Sequence, residues 1–216
     1  GIAAMTYSVK EIFYSLQGEG AQAGRPAIFC RFSGCNLWSG REQDRSKAIC
    51  QFCDTDFIGV DGTGGGKFKD AVSLARNLKT YWPTNILGQV HPYVICTGGE
   101  PLLQLDETLI DAFHAEGMEV AIETNGTLPV PRGIDWVCVS PKAGSKLVVN
   151  EGDEIKLVYP QEAAQPSDFI EFNFDHFFLQ PMYDRETDNT KRTVQYCLDH
   201  PQWKLSLQTH KLLGLQ

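Results

Sequence analysis

Three cysteines, Cys35, Cys50 and Cys53, follow an apolar run in a C-x14-C-x2-C pattern. Thiolates are soft ligands that favour zinc or iron–sulfur clusters, and a C-x2-C step lets two sulfurs face one centre. Three ligands suit a cube of four irons in which one iron stays open to an external ligand. Adding Cys30 would complete a four-cysteine zinc site, but Cys30 is in phase with the apolar residues of its run, which indicates a core position. The residues alone favour a cluster and leave a zinc site and incidental thiols open.

A second motif, Thr97-Gly98-Gly99-Glu100-Pro101, follows directly on another apolar run. Two glycines at the end of a strand let a ligand approach the backbone, and Glu100 could accept a hydrogen bond from an ammonium group. Gly-Gly also marks ordinary strand-to-helix turns. If the run is a strand of a parallel barrel, its carboxyl end lies at the rim where such folds bind ligands, which favours a functional interpretation.

Alternating strands and helices must position these motifs. Short apolar runs rich in β-branched and aromatic residues predict six strands, near residues 27–32, 93–97, 119–123, 135–139, 154–159 and 177–181. Helical periodicity predicts helices over 69–82, 106–116 and 190–198. This alternation predicts an α/β fold with a parallel sheet, an incomplete TIM-like barrel of about six parallel strands with helices outside. A flat doubly wound sheet is the alternative that periodicity does not exclude.

Composition limits the classes of protein that fit. The chain has 216 residues, is 42% hydrophobic and 21% charged, and carries a formal net charge of −8, which argues against a dedicated nucleic-acid binder. No apolar run reaches the ~20 residues that cross a bilayer. Seven cysteines without a secretory signal suggest reduced thiols and a cytoplasmic protein. Residues 1–4 precede Met5 and are interpreted as a cloning scar, which leaves one predicted domain over residues 5–216.

With these motifs assembled, the chain resembles the radical S-adenosylmethionine (SAM) enzymes, and closely the 7-carboxy-7-deazaguanine synthases. The resemblance runs from about Tyr7 to Lys211. It rests on eight segments: Leu16-Gln17-Gly18-Glu19-Gly20, Arg31-Phe32-Ser33-Gly34-Cys35-Asn36-Leu37, Phe52-Cys53-Asp54-Thr55, Thr97-Gly98-Gly99-Glu100-Pro101, Glu123-Thr124-Asn125-Gly126, Ser140-Pro141-Lys142, Gln180-Pro181-Met182 and Thr209-His210-Lys211. One departure is the first cysteine gap, which is three residues in most radical SAM enzymes and 14 here; the segment 37–49 accounts for the difference.

The resemblance implies a ring-contracting lyase. A reduced [4Fe-4S] cluster would cleave SAM, and the 5'-deoxyadenosyl radical would take a hydrogen from C6 of 6-carboxy-5,6,7,8-tetrahydropterin. Rearrangement with loss of ammonia would give 7-carboxy-7-deazaguanine, a precursor of queuosine and other 7-deazapurines. The cofactors supply this chemistry, and the protein supplies position and exclusion of water.

The resemblance also implies roles for individual residues. The cluster ligands would be Cys35, Cys50 and Cys53, and the Mg²⁺ ligand would be Thr55. The SAM contacts would be Phe52, Cys53, Asp54, Gly99, Glu100, Ser140, Pro141, Lys142, Gln180, Pro181, Met182 and Tyr183. The pterin contacts would be Leu16, Gln17, Gly18, Glu19, Arg31, Thr97 and His210. Arg31 is the expected partner of the substrate carboxylate, since its planar guanidinium binds a carboxylate through two bonds.

The expected partners are the small pterin substrate, an external flavodoxin-like or ferredoxin-like one-electron reductant, and a second copy of the chain in a homodimer, with no direct nucleic-acid contact and no membrane. Two alternatives stay open. One is another radical SAM enzyme, such as a glycyl-radical activase, although the segments 16–20 and 209–211 count against it. The other is a zinc-stabilised binding module. The polar run 208–211 near the end of the sequence predicts that this segment folds back over the pterin pocket, with a solvated terminal strand end as the alternative.

Overall fold

One nine-stranded sheet organises the protein. The computed structural model describes residues 6–184 and 188–216, so residues 1–4, interpreted as a cloning scar, lie outside the described residues. The strands are β1 (Tyr7–Leu16), β2 (Pro26–Phe32), β3 (Gly66–Phe68), β4 (Tyr93–Thr97), β5 (Glu119–Thr124), β6 (Trp136–Val139), β7 (Glu151–Tyr159), β8 (Asn173–Pro181) and β9 (Lys204–Leu205). Their order in the sheet is β3-β1-β2-β4-β5-β6-β7-β8-β9.

The greater part of the sheet is parallel, as predicted. The strands β2, β4, β5, β6, β7, β8 and β9 are neighbours in this order in the sheet, and each pairs with the next in parallel. In contrast, β1 runs antiparallel to both β2 and β3. All six predicted strands are present, and the sheet is open, with β3 and β9 at its edges. The prediction missed β1 because a bulge between Val9 and Glu11 interrupts the alternation of apolar and polar residues that reveals a strand. It missed β3 and β9 because strands of three and two residues carry too little pattern.

Helices cover the sheet near the predicted positions. They are α1 (Ala71–Lys79), α2 (Glu107–Ala115), α3 (Asn189–Asp199) and a short α4 (Thr209–Leu212) that the prediction did not include. An aspartate begins each of the first three: Asp70 accepts from Ser73 N at 2.7 Å, and Asp106 and Asp188 cap α2 and α3 in the same way. Such caps pair backbone N–H groups that have no partner inside the helix.

Two apolar clusters form the core. In the larger one, the buried faces of α1 and α2, including Leu74 and Phe113, pack with β1, β2, β4 and β5. The smaller cluster joins β6, β7 and β8 to Trp203. Every residue of β4 is buried, as expected for a strand covered on both faces. None of the helices in 6–184 and 188–216 is long and apolar enough to cross a membrane.

Because the strands from β2 to β9 are parallel, their carboxyl ends meet at one edge of the sheet. The cysteine segment follows β2, the Gly-Gly motif follows β4, and the segment that begins at Asn125 follows β5. The open parallel sheet therefore gathers motifs that are distant in sequence around one edge.

Candidate active site

A cavity of about 520 Å³ lies at this carboxyl edge. Every residue that the sequence predicted as a cluster, Mg²⁺, SAM or pterin contact lines it, except Pro141, which is buried beside it. The loops after β1, β2, β4, β5 and β6 contribute, together with the ends of β7 and β8 and the segment 208–216. We call the side that carries Cys35, Cys50 and Cys53 the cysteine wall, and the side that carries Gln17, Glu19, Glu123 and Lys156 the substrate wall.

The cysteine wall holds three free thiols. Cys35, Cys50 and Cys53 form no disulfide and all reach the cavity. Leu37 N lies 3.4 Å from Cys35 Sγ, the kind of amide contact that tunes sulfurs bound to a cluster. Burial raises the pKa of the Cys35 and Cys50 thiols in the metal-free chain. The donor set therefore fits a [4Fe-4S] cluster with three protein ligands.

Cys30 does not belong to this wall. It is fully buried in β2, within the larger apolar cluster, and its register partner is Cys96 of β4. Burial raises the pKa of the Cys30 thiol well above its ordinary value. The prediction that Cys30 is a core residue is confirmed, and the four-cysteine zinc arrangement loses its fourth ligand.

The Gly-Gly motif packs directly on the cysteine segment. Glu100 N donates to Gly34 O at 2.8 Å, and a β-carbon on Gly99 would overlap that same carbonyl. Gly34 itself has φ +88°, a left-handed conformation that favours glycine, in the residue just before Cys35. Glycine is thus required at position 99, because the backbone of Gly34 leaves no room for a side chain, and favoured at position 34, because of its left-handed conformation.

The Glu100 carboxylate is mostly engaged within the protein. It is 1% exposed and accepts from Asn125 N at 2.7 Å, Thr124 Oγ1 at 2.8 Å and Leu102 N at 2.9 Å. Burial raises its pKa, and these donors partly oppose that rise. A carboxylate offers about four acceptor positions, so one remains for a ligand ammonium group.

The segment 37–49 folds against the cysteine wall. Its 3-10 helix, Glu42–Lys47, directs Arg45 back to the segment that bears Cys50 and Cys53. The Arg45 guanidinium donates to Gln51 O at 2.8 Å and to Cys53 O at 3.0 Å, pairs with Glu42, and lies over the Trp38 ring. Residues that lengthen the first cysteine gap therefore brace the second and third cysteines.

Thr55 lies in a loop that is held from both sides. Before it, Asp54 pairs with Lys211 at 2.5 Å. After it, Asp56 pairs with Lys10 at 3.2 Å, and Lys10 also donates to Ile58 O at 2.8 Å. These contacts fix the loop at both ends while the Thr55 residue faces the cavity.

The substrate wall consists of side chains bonded to one another. Gln17 Nε2 donates to Glu123 Oε1 at 2.8 Å, and Lys156 Nζ lies 3.2 Å from Glu19 Oε2. Burial alone would lower the pKa of Lys156, but the carboxylates of Glu123 and Glu19 raise it well above its ordinary value. Burial alone would raise the pKa of Glu19, but Lys156 and other neighbours hold it below its ordinary value. The pair is therefore ionised.

Arg31 reaches the cavity with partners of its own. It donates to Glu11 Oε1 at 2.9 Å through Nε and to Gly98 O at 2.8 Å through Nη1. A substrate carboxylate at Arg31 would share the guanidinium with Glu11. This pairing was not predictable from the residue pattern, because Glu11 lies at the bulge of β1.

The segment 208–216 closes over the substrate wall. Thr209 N donates to Gly18 O at 3.1 Å, and a β-carbon on Gly18 would overlap the His210 ring. Farther along, Gln216 Nε2 donates to Glu11 Oε2 at 3.0 Å. The segment returns to the cavity, as predicted, while the binding of a pterin beneath it and the role of His210 stay predictions.

Sequence reasoning missed Lys156 and gave no role to Glu123. Glu154 and Lys156 alternate in β7 with Ile155 and Leu157, which are fully buried on the opposite face. Charged residues at alternate positions of a strand predicted to be buried were the available signal, because such charges are rare in cores unless they are paired.

No protein-family model matches the chain. Curated relatives match over nearly its whole length: the 7-carboxy-7-deazaguanine synthase of Bordetella pertussis is 62% identical over 98% of this chain and 100% of its own, and that of Burkholderia multivorans is 58% identical with the same coverage. Among solved structures, the crystal structure of QueE from Escherichia coli is similar with a TM-score of 0.70 and 26% identity over 95% of both chains.

Proposed function

The chain belongs to the 7-carboxy-7-deazaguanine synthases, and on this basis we propose that its cavity binds 6-carboxy-5,6,7,8-tetrahydropterin against the substrate wall and SAM against the cysteine wall. The chain is a ring-contracting radical SAM lyase of queuosine biosynthesis. The observation that carries the arrangement is the convergence of three free cysteines and the predicted contact segments on one cavity.

The proposed cluster ligands are Cys35, Cys50 and Cys53. The family implies a [4Fe-4S] cluster and SAM, and a cluster held by these three cysteines would supply the electron for reductive cleavage of SAM. The chain's own contribution is to keep the thiols unpaired, brace them through Arg45, and place Gly99 and Glu100 beside them.

The proposed SAM contacts surround this wall. The remaining acceptor position of Glu100 suits the amino group of SAM, and Gly99 lines the cavity next to it. Lys142 Nζ lies 5.5 Å from the centre of the Phe52 ring, so a cation and an aromatic face flank the same space. The rest of the set carried over from the family is Asp54, Ser140, Pro141, Gln180, Pro181, Met182 and Tyr183, all of which line the cavity except Pro141.

The proposed pterin contacts are Leu16, Gln17, Gly18, Glu19, Arg31, Thr97 and His210. Arg31 suits the substrate carboxylate, and the acceptors of the substrate wall suit the N–H groups of the pterin ring. A small site that pairs each of these groups rejects analogues that lack them, since its own buried polar atoms would be left without partners.

Mg²⁺ is the third proposed cofactor, with Thr55 as its protein ligand. A hydroxyl oxygen and a substrate carboxylate are ligands that this hard cation accepts. Support comes from the loop that carries Thr55, which Lys10 and Lys211 hold at the cavity from opposite sides.

The proposed location of the protein is the cytoplasm, and residues 5–216 are proposed to form one domain. The proposed electron donor is an external flavodoxin-like or ferredoxin-like reductant.

A homodimer is proposed because the open sheet leaves edges that a two-fold partner could cover. Light scattering at micromolar concentration should give twice the mass of one chain; the mass of a single chain would contradict the proposal.

The test of the function is an anaerobic assay of the reconstituted protein with the carboxytetrahydropterin, SAM, Mg²⁺ and dithionite. Mass spectrometry should find a product lighter than the substrate by one ammonia, together with 5'-deoxyadenosine and methionine. Formation of 5'-deoxyadenosine without that product would contradict the substrate and favour another radical SAM activity.

A further inference from the structure

The lysine of the substrate wall has no role in the function described so far. Lys156 sits in β7 with its side chain 7% exposed, and it lines the cavity. Its neighbours along the strand, Ile155 and Leu157, point into the apolar core, so strand geometry turns Glu154 and Lys156 toward the loop after β1. Burying an ammonium group costs free energy unless the group is paired, and a lysine that served only solubility would lie at the surface.

The groups that face Lys156 come from four elements. They are Glu19 in the loop after β1, Glu123 in β5, Cys138 in β6 and Glu154 in β7. One ammonium therefore stands among three carboxylates, and the wall keeps a net negative charge. Such a wall favours a ligand edge rich in N–H donors and disfavours an anionic one.

The Glu154 carboxylate is also tied to the backbone of the loop, and the Gln17 side chain links the loop to Glu123. Glu154 Oε2 accepts from Ala21 N at 2.8 Å, while Glu19 N donates to Gln17 Oε1 at 3.2 Å. Gln17 in turn donates to Glu123. Lys156 and Glu154 thus clamp one short loop, and the charge of Lys156 acts on both Glu19 and Glu123.

We propose that Lys156 is a positioning residue for substrate recognition, which fixes the Glu19 carboxylate in its ionised form and in one orientation so that it accepts N–H groups of the pterin ring. This inference rests on the proposed function, because it takes the pterin as the ligand of the substrate wall. Lys156 acts through Glu19 and needs no contact with the substrate.

The ion pair of Lys156 with Glu19 determines in which direction the pH dependence of substrate binding should change when Lys156 is replaced. With Lys156 replaced by Met, Glu19 keeps its burial but loses its cation, so its pKa rises. The site then needs a higher pH to hold the ionised carboxylate. His210 and Gln180 also act on Glu19 and are unchanged in the variant.

The experiment compares Lys156→Met and Lys156→Arg with Lys146→Met, an exposed lysine outside the cavity. The Kd of 6-carboxypterin is measured by fluorescence from pH 5.5 to 8.5 on cluster-loaded protein without reductant, and turnover is measured with the carboxytetrahydropterin. At pH 7, Lys156→Met should raise the Kd of 6-carboxypterin and the KM of the carboxytetrahydropterin at least tenfold. The pH below which 6-carboxypterin binding weakens should move upward by about one pH unit or more. The Kd of SAM should stay within twofold of the wild-type value. Lys156→Arg should recover most of the loss, and Lys146→Met should match the wild type.

A second variant separates positioning from support of the fold. Lys156→Met combined with Glu19→Gln removes both charges, so the upward shift of the pH below which binding weakens should disappear while binding stays weak. A Lys156→Met protein that binds with the wild-type Kd and pH profile, whatever its Tm, overturns the inference. Wild-type protein that forms no product from the carboxytetrahydropterin overturns the proposed function instead.

Discussion

The two walls of the cavity are built in opposite ways. The cysteine wall consists of loops held by backbone contacts, such as Glu100 N to Gly34 O and the Arg45 bonds to Gln51 O and Cys53 O. The substrate wall consists of charged side chains, several from strands, that pair with one another, such as Lys156 with Glu19. The cysteine wall therefore depends on residue types that a metal cluster requires, which a sequence motif can reveal. The substrate wall depends on charged residues that are far apart in sequence and meet only in the folded protein.

The largest expected effect tests the cysteine wall. Replacing Cys35, Cys50 or Cys53 by Ala should reduce reconstituted iron from about four per chain to near zero and turnover by more than a thousandfold. Cys30→Ala should keep its iron, since Cys30 packs in the core. Iron and labile sulfide analysis with the visible spectrum measures the outcome, and loss of iron in a folded Cys30→Ala protein would contradict the ligand assignment.

The next largest expected effect comes from a substitution at the substrate wall that leaves every charged residue in place. Gly18→Ala would place a β-carbon on the His210 ring, so the segment 208–216 should be displaced. We expect the pterin KM to rise about ten- to a hundredfold, in line with the sensitivity of catalysis to small misplacements, while iron content stays at the wild-type level. Gly66→Ala is the control, because a β-carbon there meets nothing within 4 Å. An unchanged KM in Gly18→Ala would show that the segment plays no part in the pocket.

These two experiments also separate what the sequence could predict from what it could not. The six parallel strands were predictable because buried strands appear in the sequence as apolar runs, and the three cysteines stood out because a C-x2-C step lets two sulfurs face one centre. The pairing of Lys156 with Glu19 was not predictable, because 137 positions separate the two residues and the pattern around one does not point to the other. Arg31 stays the predicted partner of the substrate carboxylate, and the structure adds that its Nε already donates to Glu11.

A smaller effect tests whether the segment 37–49 braces the cluster ligands. Arg45→Gln removes the guanidinium from Gln51 O and Cys53 O. Because each bond to a charged donor contributes about 1.5–3 kcal/mol at most and this site is partly exposed, we expect roughly a five- to tenfold faster release of iron to a chelator. Arg41→Gln, in the same exposed segment, is the matched control. Equal release rates in the two variants would mean that the brace is dispensable.

The smallest expected effect concerns Thr55. Thr55→Ala removes one oxygen ligand of several, so we expect a few-fold weaker stimulation by Mg²⁺ with an unchanged SAM Kd. A magnesium titration of turnover measures the first quantity and equilibrium dialysis the second. The same magnesium dependence in variant and wild type would remove Thr55 from the proposed site, and would leave the loop held by Lys10 and Lys211 without a metal role.

The contact of Thr209 N with Gly18 O has a consequence for the order of folding. It joins residues 191 positions apart, and Gly20 N to Ser206 Oγ at 3.0 Å spans almost as far, whereas Leu37 O meets Ile49 N and Cys50 N only a dozen positions away. Closing a long loop costs more chain entropy and takes longer than closing a short one. The nascent protein should therefore shape its thiol-bearing loop early and seal the opposite side last. During that interval the sulfurs are open to metal delivery and equally open to oxidants.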